Sequence, residues 1–335
     1  MSTLLVADIG GTKSELALFG DVGSIAEPLL KLRYLNADYS SFSQIVELFL
    51  SECDPSPSYG CFAVAGVVDG NNGILTNLEW EVNGPELAKR FALDKTILLN
   101  DLTAVCSAVG VLPSDDLLEI QPGIGVKGEV RGVLAPGTGL GQGLVIDYNG
   151  QTFCRGSEGG HVDFAPVNEE QTALLQWMRR KSMPVSCEMV AGGPAISNLY
   201  DFCREYHHIP ESKDVVEKLS QVSDRVPVIV KNGTGDTACP LCQKTLDLFL
   251  SILGSEAGNL ALKLYATGGI YLGGGILPRL VGLVSFDGFL RGFRSKGVMS
   301  PFMDNVPIYL ILRKDAALLG ALHYGRQHLL ADSLI

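Results

Sequence analysis

The chain opens with an apolar run at residues 4–6, a glycine turn at Gly10, Gly11 and Thr12, and then Leu16 and Leu18 alternating with small or polar residues up to Phe19. Period-two alternation beside a tight turn predicts strand, turn, strand. Walker and dinucleotide loops run from strand into helix, and no GxxxxGKS/T occurs in this segment, so the pattern predicts a β-hairpin instead. Residues 30–35 read as extended, and residues 41–53 as a helix with Ile45, Leu48 and Phe49 on one face. Residues 61–68 read as one buried strand ending at the turn signal Asp69-Gly70-Asn71-Asn72-Gly73. Pro85 opens a short helix with Leu87 and Phe91 inward. Residues 96–99 form a further buried strand that delivers Asn100 and Asp101 to its carboxyl end. Strands alternating with helices predict an α/β layered domain, in which ligands gather at the carboxyl ends of the strands.

Residues 110–130 are rich in Gly and Pro (Pro113, Pro122, Gly123, Gly125, Gly128), the texture of a surface crossing between domains. Residues 132–146 then repeat the strand–glycine turn–strand pattern of the opening, as if the fold held two similar halves. Residues 170–266 are mainly helical. The last helix, about 239–265, carries Gly254 and Gly258 four residues apart, so one face is open to close approach by another backbone. Residues 270–276 run from strand into a glycine turn. Residues 315–330 form a final helix whose stripe of Leu318, Leu319 and Leu322 needs a core to cover it.

At 335 residues with 46% hydrophobic and 19% charged residues, the chain is globular and long enough for two cores. Its net charge of −11 argues against a nucleic-acid binder but leaves room for an anionic nucleotide held by backbone N–H groups and a cation. Asp8 interrupts the first apolar run, no basic leader or cleavage site is visible, and residues 248–255 are too short to span a bilayer, so a soluble cytoplasmic protein is expected. In that compartment the eight irregularly spaced cysteines should be reduced thiols. Cys239 and Cys242 form a lone CxxC without a second pair at zinc-finger spacing and read as two thiols at a helix start.

Three glycine clusters follow apolar strands: Gly10-Gly11-Thr12, Gly137-Thr138-Gly139 and Gly273-Gly274-Gly275. Each suits a structural turn, but three together, two containing Thr, suggest a nucleotide clamp of bare N–H groups. Asp8 fits either a turn acceptor or a carboxylate that helps hold Mg²⁺, through water. Asp101 fits either an N-cap of the following helix or the base that orients and deprotonates a hydroxyl in phosphoryl transfer. Glu158 and His161 flank two glycines. A carboxylate and an imidazole suit recognition of vicinal sugar hydroxyls, and two ligands without a third support a metal site poorly. Asn77 reads as a loop amide, Asp163 as a turn acceptor, and His207-His208 as a solvated helix end.

With these residues in place, the chain resembles the bacterial glucokinase family of the sugar kinase, actin and heat-shock ATPase superfamily, over nearly its whole length. Asp8-Ile9-Gly10-Gly11-Thr12 is similar to the family's first phosphate motif, residues 136–141 to its second, and residues 268–275 to its adenosine motif. Residues 158–166 (Glu-Gly-Gly-His-Val-Asp-Phe-Ala-Pro) are similar to a sugar-site signature. The resemblance implies two α/β domains of ribonuclease-H-like (actin-like ATPase) type around a central cleft. Residues 1–111 and 314–335 would form the smaller, and residues 112–313 the larger. It implies glucose bound by Asn77, Asn100, Asp101, Glu158, His161 and Glu188, with Asp101 as base. ATP would be bound by residues 7–12 (Ala7, Asp8, Ile9, Gly10, Gly11, Thr12), by Gly137, Thr138 and Gly139, and by Gly273 and Gly274, with Mg²⁺ near Asp8. A homodimer is common in the family. Pro136 before Gly137 and the lack of Pro-Gly before Leu318 depart from its pattern, and the zinc-binding cysteines of the related repressor-and-kinase group are missing after His161. Two other readings stay open: a kinase for mannose or fructose, or one using another phosphoryl donor, and a non-catalytic sugar-sensing regulator. Against the regulator, the first hairpin starts too early to leave room for an N-terminal helix-turn-helix.

Overall fold

The computed structural model describes residues 3–20, 27–75, 78–125, 129–149, 151–235 and 238–330. The chain separates into two compact units, one comprising Met1–Pro113, Gly150–Gly156 and Arg313–Ile335, the other Ser114–Asn149 and Ser157–Leu312. Gly150–Gly156 counts with the first unit although it lies between two stretches of the second.

The first unit contains β1 (Leu4–Ile9), β2 (Lys13–Phe19), β3 (Leu30–Leu35), β4 (Tyr59–Val64), β5 (Val67–Asp69), β6 (Asn72–Leu75), β7 (Trp80–Asn83) and β8 (Lys95–Asn100). Its main sheet runs β3-β2-β1-β4-β8. β1 and β2 form the expected antiparallel hairpin, with Ile9 opposite Ser14, while β1, β4 and β8 are parallel. The register Ile9–Val64–Asn100 sets Asp8 and Asp101 at the same end of these parallel strands. Leu5, Leu16, Phe42, Phe49 and Phe62 fill a core beneath the sheet. Helix Ala316–Gly325, continued by a wider turn over Arg326–Leu330, buries Leu318, Leu319 and Leu322 in the same unit.

The second unit contains β9 (Leu117–Gln121), β10 (Arg131–Pro136), β11 (Leu140–Tyr148), β13 (Gly269–Leu272) and β14 (Ile308–Ile311); β12 (Gln151–Ser157) belongs to it only by its last residue. β11, β10, β13, β14 and β9 lie side by side in that order. As in the first unit, a central strand (β10) pairs antiparallel with the strand that follows it and parallel with a later one. The repeated glycine hairpin is therefore the same structural device used twice, and the α/β fold is of the ribonuclease-H-like, actin-like type.

Local patterning misleads at several points. Leu48 is 43% exposed, and Val46 joins Ile45 and Phe49 in the core instead. The apolar run 61–68 is broken after Val64, and Val67 is exposed on β5, an arm that pairs with β6 rather than with the main sheet. The glycine-rich stretch 110–130 contains β9, an edge strand antiparallel to β14. His207 is held by Glu170 at 2.6 Å instead of being left in solvent. Cys239 and Cys242, by contrast, are as the sequence reads them, free thiols at the start of helix Pro240–Leu264, and both are buried.

The helix glycines act as the sequence suggests. A Cβ added at Gly254 would sit 2.0 Å from the carbonyl oxygen of Phe289, and one at Gly258 2.7 Å from that of Phe293, both on helix Asp287–Arg294. Gly292 meets the carbonyl of Ser251 in the same way, at 2.3 Å. Among the described residues no helix is long and apolar enough to cross a membrane. Replacing Gly254 by Ala is expected to destabilise the protein by about 1–3 kcal/mol, because overpacking against a backbone outweighs the helix-propensity gain of about 1 kcal/mol. Urea denaturation of Gly254→Ala beside the parent checks this.

Candidate functional site

In the first unit the site is built on the carboxyl ends of β1 and β8. Gly10 closes its turn by donating its N–H to the Lys13 carbonyl at 3.0 Å. Among the described residues the N–H groups of Gly11 and Thr12 donate to no protein acceptor, so two adjacent donors are left free, as an anion cradle would need. Ala7 and Ile9 are fully buried within β1, so the hairpin's surface narrows to Asp8 and the three turn residues Gly10, Gly11 and Thr12.

A residue the sequence did not single out holds this turn in shape. Asn36, 1% exposed, donates its amide to the Gly10 carbonyl at 2.8 Å, accepts from Ser14 Oγ at 2.8 Å, and donates its backbone N–H to the Thr12 carbonyl at 2.9 Å. Nothing in the pattern around Asn36 distinguishes it from a polar loop residue; only the fold brings it beneath the hairpin.

Asp8 lies opposite Glu15 across the hairpin. Burial, then the charges of Asp101, Glu15 and Asp315, push its carboxyl up to about 6, opposed by Lys13. A cation beside a carboxylate so placed would relieve it, so the chemistry of Asp8 is compatible with Mg²⁺.

Asn100, not Asp101, is the N-cap of helix Asp101–Val109: its Oδ1 accepts from the N–H groups of Leu102 at 3.0 Å and Thr103 at 3.4 Å. Its Nδ2 donates to the Gly66 carbonyl at 3.2 Å and to Asp101 Oδ1 at 3.0 Å. Asp101 Oδ1 also accepts from Leu102 N–H at 2.9 Å. Both bonds fall on Oδ1, and among the described residues no other residue donates to Oδ2. Burial raises the affinity of this carboxyl for a proton, while bonds from the Leu102 N–H, its own backbone N–H and the Asn100 amide work the other way. Asn77 lies outside the described residues.

In the second unit a parallel construction surrounds Leu140. Glu188, at the first position of helix Glu188–Ala191, accepts the Leu140 N–H on Oε2 at 2.9 Å. Gly139 permits that approach, since a Cβ there would lie 2.5 Å from the same oxygen. Gly160 presses on the Leu140 carbonyl, where a Cβ would come within 2.2 Å. Its turn, Gly159–His161, presents Glu158 and His161 to solvent, with Oε2 and Nε2 3.7 Å apart and side chains 90% and 63% exposed. The two loops are laced together by Cys187 N–H to the Val162 carbonyl at 2.9 Å and by a bridge between Asp163 and Ser186. Thus Glu158, His161 and Glu188 sit on two loops that are bonded to each other.

The remaining glycines divide by role. Gly137 donates to the Gly139 carbonyl at 2.9 Å and accepts from Gly193 N–H at 2.8 Å. Among the described residues the N–H groups of Thr138 and Gly139 have no protein acceptor. Gly273 N–H is committed to the Leu134 carbonyl at 2.8 Å, so it extends the β10–β13 pairing rather than offering a donor. Gly274 has φ +80° and lies so close to the Pro136 carbonyl that a Cβ would be 2.2 Å away. Among the described residues no group of three or more His, Cys, Asp or Glu side chains forms a metal cluster.

The glucokinase family model matches residues 5–328. The glucokinase of Nostoc punctiforme is 36% identical over 334 residues, covering 96% of this chain and 98% of that protein. Among solved structures, a glucokinase from an Antarctic psychrotroph superposes with a TM-score of 0.82 at 30% identity, covering 97% of this chain and 98% of that one. A ROK family glucokinase from Streptomyces griseus, solved with glucose and AMPPNP, shares the fold with a TM-score of 0.67 at 17% identity, covering 97% of this chain and 100% of that one.

The Asp8 environment generates a pH prediction. Its folded pKa lies above the unfolded value, so its contribution to stability is present below about pH 4 and is lost as pH rises through about 6. Asp8→Asn is therefore expected to be more stable than the parent at pH 8, by on the order of 2 kcal/mol, with the difference shrinking on acidification. Melting curves of both proteins from pH 4 to 8 check the sign.

Proposed function

Because the chain belongs to the glucokinase family, we propose that it transfers the γ-phosphoryl group of ATP to the 6-hydroxyl of glucose, giving glucose 6-phosphate and ADP, with Asp101 as the base. The observation that carries the assignment is the one-sided anchoring of Asp101. Its Oδ1 is fixed by the Leu102 N–H and the Asn100 amide, which leaves Oδ2 to accept a hydroxyl proton. Burial makes that oxygen a better proton acceptor than a solvated aspartate, which favours general-base action. Asn100 acts mainly by aiming Asp101, since its own amide is engaged on both sides.

Glu158, His161 and Glu188 supply acceptors and a ring nitrogen for the remaining sugar hydroxyls. A site built to pair each hydroxyl discriminates between epimers by leaving groups unpaired when one is inverted. The free N–H groups of Gly11, Thr12, Thr138 and Gly139 hold the phosphates, and Gly274 lines the adenosine side. Mg²⁺ held near Asp8, through water, supplies charge neutralisation on the phosphates when bound. The eight free cysteines and the lack of a membrane-crossing helix among the described residues support a cytoplasmic enzyme, and we assign it as a homodimer on the family resemblance.

Asp101→Ala is expected to lower kcat by roughly 10²–10⁴-fold with the fold retained. A coupled ADP-release assay with ATP and Mg²⁺ across glucose, mannose and fructose tests the reading. Preference for glucose supports it, preference for another hexose reassigns the substrate, and silence on every sugar returns the sensing regulator.

A further inference from the structure

Glu256 lies in the middle of helix Pro240–Leu264 and is 3% exposed. A carboxylate that deep must be hydrogen-bonded or paired, because burial without partners costs several kcal/mol. Its partners are specific. Oε1 accepts from Gln142 Nε2 at 2.8 Å, and Oε2 accepts from Asn259 Nδ2 at 2.9 Å and from the Cys187 thiol at 3.5 Å. Lys296 fixes Asn259 from the far side, donating to its Oδ1 at 2.7 Å and to the Ser255 carbonyl at 2.9 Å. Asn259 is therefore oriented with its amide nitrogen towards Glu256.

Each of the other two partners sits directly under a loop of the sugar cluster. Gln142, 2% exposed, accepts from Ser157 Oγ on its backbone carbonyl at 3.0 Å. Its side-chain oxygen lies where a Cβ on Gly159 would come within 2.4 Å, so the turn carrying Glu158 and His161 rests on this amide. Cys187 immediately precedes Glu188 and donates its N–H to the Val162 carbonyl at 2.9 Å. Burial, then the nearby Glu256 charge, pushes the Cys187 thiol up to about 12, which keeps it protonated as a donor.

We propose that Glu256 is a positioning residue for sugar binding, its two carboxylate oxygens holding Gln142 beneath the Glu158–His161 turn and Cys187 beneath Glu188. The proposal rests on the reading of Glu158, His161 and Glu188 as sugar ligands. An apolar side chain would fill the same space without the cost of a buried charge. Only a two-oxygen acceptor meets donors arriving from both loops at once.

The test is a carboxylate–amide exchange read by steady-state kinetics. Gln142→Glu sets two carboxylates against each other and is expected to raise KM for glucose by roughly ten- to a hundredfold, as displacement of binding groups does. KM for ATP should stay within about twofold of the parent. Glu256→Gln alone should raise glucose KM in the same direction. The double variant Gln142→Glu/Glu256→Gln restores one carboxylate and one amide in reversed order, and is expected to return glucose KM to within about threefold of the parent. Melting curves accompany each variant.

A glucose KM unchanged in both single variants overturns the proposal. So does a folded double variant whose glucose KM stays raised, or an ATP KM that rises in step with the glucose KM. Where Gln142→Glu does not fold, Glu256→Gln and the double variant decide by the same criteria. Glu188→Gln separates the two levels. If it leaves glucose KM unchanged, the sugar-ligand reading fails; if it raises glucose KM while the exchange series does not respond, only the positioning role of Glu256 fails.

Discussion

The proposed chemistry depends on two carboxylates, Asp8 and Asp101, held near each other at the ends of parallel strands where water is largely removed. Burial raises the proton affinity of both, and the Asp101 charge is second only to burial among the causes of the upward shift at Asp8. Such an arrangement opposes folding at neutral pH and is tolerable because the rest of the unit is well packed. Phe42, Phe49 and Phe62 are almost completely buried beneath the sheet, and β1 is paired on both sides. Destabilising charge is placed where a bound cation and a hydroxyl proton would relieve it, which is a common physical signature of a functional site.

The two units apply one device to different ends. In both, a β-hairpin leaves two adjacent N–H groups without a protein acceptor among the described residues while neighbouring backbone groups are tied down. The ties differ. Asn36 supports the first hairpin from below through a buried amide, whereas Glu188 supports the second through Leu140. Glu188 thus has one oxygen engaged with the backbone, and in its proposed role as a sugar ligand the carboxylate would be oriented in advance. Preorganisation of this kind limits the entropy lost on binding.

Rigidity in the second unit comes from backbone approaching backbone. Gly254, Gly258 and Gly292 let two helices touch through their main chains, and Gly139 and Gly160 do the same around Leu140. Helix Pro240–Leu264 therefore serves both as core and as the support on which Gln142 and Cys187 are held. Hydrophobic packing positions the helix, and its one deeply buried acidic side chain links that packing to the exposed Glu158 and His161.

The sequence alone determined the α/β class, both glycine hairpins, the close-approach face around Gly254, and the family resemblance. Those features rest on short-range periodicity and on glycine, whose effect on the backbone is local. It also named Asp101 and Asn100 but offered Asp101 as the possible cap where Asn100 is the cap, because both residue types cap helices and spacing does not distinguish them. Only the tertiary structure decided which N–H groups are free, that Gly273 is committed to the sheet, that Ala7 and Ile9 are core, and that Leu48 and Val67 face solvent. It alone brought Asn36 to Gly10, and Gln142 to Glu256 across 114 residues of chain. Contacts between such distant positions leave no periodic trace in a single sequence. They exist because the folded backbone brings a donor and an acceptor together away from water, where leaving either unpaired would be costly.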